Sequence, residues 1–192
     1  RIFSFTYPDI NFISKQDILP IDVLQDHVFI RMGSLPHIFR CDRKDFIGHP
    51  YLKPSYDSIL HYRGLISRLQ QNDGPKIALS WKGGTSLSRA KDRSIKLEQI
   101  LEVFRINKDV NLYCIQHGDI EEDLRNIDRD LKKNFHVLPA ENLKEIDHLC
   151  GLIENMDVVV SVQNTNVHLS GAIGKKCLAM INSNPEWRYG LT

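Results

Sequence analysis

Asp157-Val158-Val159-Val160-Ser161-Val162-Gln163-Asn164-Thr165-Asn166-Val167-His168-Leu169-Ser170-Gly171-Ala172-Ile173-Gly174 is the stretch on which the fold turns. Three successive valines suit a strand covered on both faces, because a half-exposed strand alternates apolar with polar residues. The polar step Gln163-Asn164-Thr165 ends that run, and Asn164 or Thr165 can cap a helix by accepting from the free N–H groups of its first turn. A helix from Thr165 to Ile173 is predicted, stopping at Gly174, where the missing Cβ permits a left-handed C-terminal turn. A buried strand that runs straight into a helix is half of a βαβ unit.

Working outward, similar units recur. β-rich runs fall at Ile77–Trp81, Val110–Ile115, Phe135–Leu138 and Cys177–Ile181. Helical stripes lie between them: Leu97, Ile100, Leu101 and Phe104; Ile120, Leu124, Ile127 and Leu131; and Leu143, Ile146, Cys150 and Ile153. The last is expected to open at Asn142, with Glu145 three residues on as a capping box. Alternation of this kind implies right-handed crossovers around a parallel sheet, so residues 76–192 read as an α/β, Rossmann-like, doubly wound domain. Its expected strand order is 3-2-1-4-5.

The first 75 residues lack that alternation. Val28-Phe29-Ile30 is a candidate strand, and Ile59, Tyr62, Ile66 and Leu69 mark one amphipathic helix. Pro36, Pro50 and Pro54 punctuate the segment, and Asn72-Asp73-Gly74-Pro75 reads as the turn into the first sheet strand. The expected division is 1–56 as the tail of a preceding domain with an interdomain segment, and 57–192 as the connecting helix and Rossmann-like domain. The opening Arg1-Ile2-Phe3-Ser4 has neither an initiator Met nor a signal-peptide pattern, so a fragment of a longer protein is expected.

Composition narrows the function. With 25 basic and 24 acidic residues the net charge is +1, which argues against a dedicated nucleic-acid binder. No apolar run is long enough to span a bilayer. Cys41, Cys114, Cys150 and Cys177 form no CxxC and no zinc-ligand spacing. The last three sit in apolar runs, where a thiol behaves as a small core hydrophobe, and a reducing, cytoplasmic setting is expected.

Ligands of open parallel sheets bind at the carboxyl ends of the strands, near the reversal of strand order. Three loops should meet there, following Trp81, Ile115 and Val162, with the loop after Ile181 as an outer wall. The first runs from Trp81-Lys82-Gly83-Gly84-Thr85 through Arg93-Ser94. Its glycines allow close backbone approach, and its cations and hydroxyls suit an anion. It is neither a P-loop nor GxGxxG, and a solvated surface loop is the alternative. The loop after Val162 leads into a helix N-terminus fit for a diphosphate. His168 falls one turn into that helix, either facing the same crevice or packed in the core. Gln116-His117-Gly118-Asp119 stands where a ribose or base is commonly held, although turn formation explains it equally well. Asp128-Arg129-Asp130 has the DxD form of metal-dependent sugar transferases of another fold, but its place within Ile120–Leu131 favours a solvated helix face, as for Glu121-Glu122. No nucleophile elbow is present.

Several of these segments together resemble a known family. Leu79-Ser80-Trp81-Lys82-Gly83-Gly84 followed by Asp92-Arg93-Ser94-Ile95 is similar to a signature of bacterial glycosyltransferases related to the ADP-heptose:lipopolysaccharide heptosyltransferases. The 157–174 stretch resembles their "D-x-V-I-S-V-D-T-x-x-x-H-L-A-G-A-L-G", and Pro185-Glu186-Trp187-Arg188 their "P-D-W-R". Gly33-Ser34-Leu35-Pro36 and Tyr51-Leu52-Lys53-Pro54 resemble interdomain landmarks of the same enzymes, and the chain as a whole resembles the members that carry such a transferase at the C-terminal end of tetratricopeptide-repeat proteins.

The resemblance implies a GT-B architecture with the nucleoside-diphosphate-sugar donor held by this C-terminal half. It also implies metal-independent, inverting transfer to a glycan, lipid or protein acceptor. By matching position, Lys82 and Arg93 would neutralise the diphosphate, Gly83, Gly84, Asn164 and Thr165 would donate to it, and His168 would line the sugar-phosphate site. Gln116 and Gln163 complete the expected donor-binding set, no metal or cofactor is expected, and the general base would come from the other domain. Gln163 replaces the family's usual Asp, which implies either a changed donor or a catalytically silent module for binding or assembly.

Overall fold

The structure, a computed structural model, describes residues 2–13, 28, 30–84, 90–107, 109–139, 143–185 and 189. Its helices are α1 (Ile2–Thr6), α2 (Leu35–Phe39), α3 (Tyr56–Leu69), α4 (Leu97–Val103), α5 (Glu121–Arg125), α6 (Ile146–Glu154) and α7 (Thr165–Ala172). Its strands are β1 (Lys76–Ser80), β2 (Asn111–Cys114), β3 (Phe135–Val137), β4 (Val158–Val162) and β5 (Cys177–Met180). All strand pairs are parallel, in the order β3-β2-β1-β4-β5. This is the doubly wound order expected from the strand–helix alternation, and it puts the topological switch point between β1 and β4.

Each face of the sheet carries its own core, because side chains alternate along a strand. Ala78, Tyr113, Ile115 and Val159 point into one layer with Tyr62 and Ile66 of α3, Cys150 and Ile153 of α6, and Leu169 and Ala172 of α7. Ile77, Leu79, Leu112 and Cys114 point into the other, against Leu97, Ile100 and Leu101 of α4. Cys114 and Cys150 are fully buried, and burial foremost pushes each thiol up to about 12, so both act as small apolar groups. No helix among the described residues is long and apolar enough to cross a membrane.

α3 and α6 approach closely enough that a Cβ on Gly151 would lie 2.7 Å from the Ser58 Cβ. Buried Asp147 completes that seam. Its Oδ1 accepts from Ser55 N at 2.8 Å, and its Oδ2 accepts from the Ser55 and Ser58 hydroxyls at 2.7 Å each. The carboxylate thereby sits at the N-terminus of α3, where free N–H groups and the helix dipole favour an anion. The leading segment is docked on the same layer. Ile2 is buried in its core, and Tyr51 N and Leu52 N both donate to Ala172 O at the end of α7.

Three local expectations are corrected. Val28 and Ile30 lie outside any strand, with Val28 almost fully exposed, while Phe29 is outside the described residues. The stripe from Ile120 to Leu131 is a single short helix ending at Arg125, followed by turns. There the Asp128 carboxylate accepts from Asp130 N at 2.8 Å, an Asx turn that draws the chain off the helical path, so Asp128-Arg129-Asp130 is a turn and not a helix face. The third stripe enters its helix only at Ile146, with Glu145 as a cap that makes no side-chain bond, so the anticipated capping box is absent from that cap. Asn142 itself is outside the described residues. The turn before β1 is as expected: Gly74 N donates to Asn72 Oδ1 at 2.8 Å, and Asn111 Nδ2 donates to Asn72 O at 3.1 Å and Oδ1 at 2.9 Å.

Candidate functional site

A cleft of about 630 Å³ opens at the carboxyl ends of β1, β2 and β4. Of the nine residues singled out from the sequence, Lys82, Gly83, Gly84, Arg93, Gln116, Asn164, Thr165 and His168 all line it. Thr85-Ser86-Leu87-Ser88-Arg89 of the first loop, and Glu186-Trp187-Arg188 beyond β5, lie outside the described residues.

The loops are held together by two amides. Gln116, buried at the end of β2, accepts at Oε1 from Ser80 Oγ (2.9 Å), Trp81 N (2.9 Å) and Lys82 N (2.8 Å). Its Nε2 donates to Lys82 O at 3.3 Å and His117 O at 2.9 Å. Asn164 does the same from β4: its Nδ2 donates to Ser80 Oγ (2.7 Å) and Lys82 O (3.2 Å). Its Oδ1 accepts from Asn166 N (2.9 Å), which makes Asn164 the N-cap of α7. Asn166 Nδ2 donates to Ile115 O at 3.2 Å and ties the first turn of that helix to β2. Both amides therefore shape the backbone of the cleft.

Gly83 lies where three segments converge. A Cβ there would stand 2.7 Å from Gln163 O and 2.9 Å from Arg93 O. Gly84 adopts φ 76°, the left-handed region that glycine enters without strain. Arg93 crosses to β4 and donates from Nη2 to Gln163 O at 2.6 Å. Lys82 is half-exposed and forms a salt bridge with Asp123 in α5, Nζ to Oδ2 at 2.5 Å. His168 is exposed on the cleft wall, not packed in the core, and its Nε2 is 3.3 Å from the Tyr189 hydroxyl.

Gln163 is the exception. Its side chain does not line the cleft; it is 1% exposed, and neither its Oε1 nor its Nε2 has a hydrogen-bond partner among the described residues. A buried amide without partners is costly, and such groups are rare in folded proteins.

Some cleft residues were missed from sequence. Leu143, Lys144, Ile146 and Leu149, from the segment after β3 and the start of α6, form a wall with one cation. The loop after β3 also leaves a carboxyl end of the sheet, and that was the available signal. Asp123 was hidden in an acidic run whose other members, Glu121 and Glu122, are exposed. No carboxylate lines the cleft among the described residues. The site can thus bind an anion with Lys82, Arg93, Lys144 and the α7 N-terminus, beside an apolar wall.

No protein-family model matches the chain. It is 23% identical over 141 residues to protein FlbA of Caulobacter vibrioides, a match covering 73% of this chain and 23% of that protein. Among solved structures it is similar to Escherichia coli ADP-heptose lipopolysaccharide heptosyltransferase II, with a TM-score of 0.50, 14% identity, and coverage of 73% of this chain and 43% of that one. It is also similar to POFUT1 in complex with GDP, with a TM-score of 0.44, 13% identity, and coverage of 68% and 48%. The chain thus spans less than half the length of each of these proteins.

Proposed function

We propose that the cleft binds a nucleoside-diphosphate sugar and that the chain serves as the donor-binding half of a GT-B glycosyltransferase. The reading rests on the convergence of eight sequence-selected residues on one cleft at the switch point of the sheet. The heptosyltransferase II fold is in keeping with it. Lys82 and Arg93 meet the diphosphate, with the Gly84 and Thr165 N–H groups at the loop and at the start of α7 adding donors. The wall of Leu143, Ile146 and Leu149 takes the apolar face of the nucleoside.

Transfer would then proceed with inversion. An acceptor hydroxyl attacks the anomeric carbon, the bond to the diphosphate oxygen breaks, and the acceptor proton passes to a base. No cleft residue is assigned that base. Charge developing on the departing diphosphate falls to the two cations and to the helix N-terminus, whose N–H groups are already oriented.

Titration calorimetry of the chain with UDP, GDP and ADP tests the reading. Binding of at least one, weakened by Arg93→Ala by about 1.5–3 kcal/mol for the loss of a charged hydrogen bond, is expected. No binding of any up to millimolar concentration overturns it.

A further inference from the structure

The peptide of Lys82 is fixed on both sides, and its side chain is held at the tip by Asp123. Gln116 Oε1 accepts from the Lys82 N–H, and Gln116 Nε2 and Asn164 Nδ2 both donate to the Lys82 carbonyl. From that fixed Cα, four methylenes carry the ammonium, a compact charge on a flexible stem. The ammonium rests on Asp123, although Lys82 also lines the cleft.

Asp123 is built for this contact. Of the three consecutive acids in α5, Glu121 and Glu122 are exposed, and Glu121 pairs with Arg125 at 3.1 Å on the outer surface. Asp123 turns inward, its side chain 18% exposed, and among the described residues no donor apart from the Lys82 ammonium reaches its Oδ2. A partly buried carboxylate in that position holds a cation more firmly than a surface one.

We propose that Asp123 is an internal anion that competes with the ligand for Lys82. This rests on the nucleotide reading of the cleft. A phosphate oxygen must take the ammonium from the carboxylate, so the apparent affinity is the intrinsic one reduced by the fraction of molecules in which Lys82 is free to leave. Asp123 thereby sets how tightly the site holds a multiply charged phosphate, and it acts without touching the ligand. A purely positioning role would give the opposite sign, because removing the carboxylate would then misplace Lys82 and weaken binding.

The test is calorimetry of the full chain and of Asp123→Asn with UDP, GDP, ADP and inorganic pyrophosphate. The Asn variant is expected to bind the same probe about three- to tenfold tighter, and Lys82→Met in the same background should abolish that gain. Equal or weaker binding by the variant overturns the proposal and leaves the nucleotide reading standing. No binding of any probe to either protein overturns both. Melting curves check that the variant is folded, and Asp123→Ser replaces it if Asn is not tolerated.

Discussion

Gln116 grips Lys82 by both halves of its backbone, accepting from the Lys82 N–H at 2.8 Å and donating to the Lys82 carbonyl at 3.3 Å. The same amide oxygen also serves Ser80 Oγ and Trp81 N. Gln116→Met keeps length and apolar bulk but leaves three donors at that point without an acceptor. One unsatisfied buried donor costs about 1–3 kcal/mol, and partial hydration of the loop offsets some of the total. The expected loss is about 2–4 kcal/mol in urea denaturation, with nucleotide affinity falling as well because Lys82 is no longer held.

Gly83→Ala should damage the cleft more than the fold. Its Cβ would meet two backbone carbonyls, those of Gln163 and Arg93, and neither can swing aside as a side chain end could. The loops must separate, which breaks the line between Arg93 and β4. A stability loss of about 1–3 kcal/mol is expected, as for overpacking elsewhere. Nucleotide binding should be lost at concentrations that saturate the native chain. Gly83→Ala with native affinity would mean that the loops need not touch for the site to work.

Asp157 makes a pH-dependent clamp between β4 and β1. Its Oδ2 accepts from Lys76 N at 2.7 Å and lies 3.3 Å from Lys76 Nζ. Partial burial works to raise its carboxyl, but the bonds to Lys76 and the charges of Lys76 and Lys175 outweigh that and hold it below the ordinary 3.8. A carboxyl depressed in the folded state stabilises fully above 3.8, and the contribution is lost as pH falls through the folded value. The pair is half-exposed, so its worth is at most about 1 kcal/mol. Asp157→Asn should therefore be slightly less stable than the native chain at pH 7, and the two urea midpoints should converge in strong acid.

The architecture was legible because its signals are local and repeated. Val158-Val159-Val160 announced a strand covered on both faces, and Asn164 and Gly174 marked the ends of α7, where the structure places an N-cap and a residue with φ 79°. The elements misread were those whose limits depend on one competing interaction. Ile127 is buried as the stripe required, yet it reaches the core from a turn, because Asp128 caps the backbone of Asp130. The site was legible as a place: strand ends at a switch point collect the loops that follow them. Individual roles were not, since periodicity cannot show that Asp123 turns inward to Lys82, or that the amides of Gln116 and Asn164 face backbone.

Gln163 offers a prediction with two readouts of opposite sign. Its side chain is as deeply buried as the core leucines, yet both amide atoms lack partners among the described residues. Gln163→Met, of similar length and without the polar pair, should leave stability unchanged or raise it by about 1 kcal/mol. A loss of more than about 1 kcal/mol in urea denaturation would mean that the amide is satisfied in solution. Its carbonyl already braces Arg93, so the substitution leaves the diphosphate side of the cleft in place. If the amide instead answers to the sugar of the donor, Gln163→Met should weaken a nucleotide sugar by about five- to fiftyfold while leaving the matching nucleoside diphosphate unaffected, as expected for removal of one or two neutral hydrogen bonds. Equal weakening of both ligands would place the effect in the loop geometry, and no weakening of either would leave the amide with no part in binding.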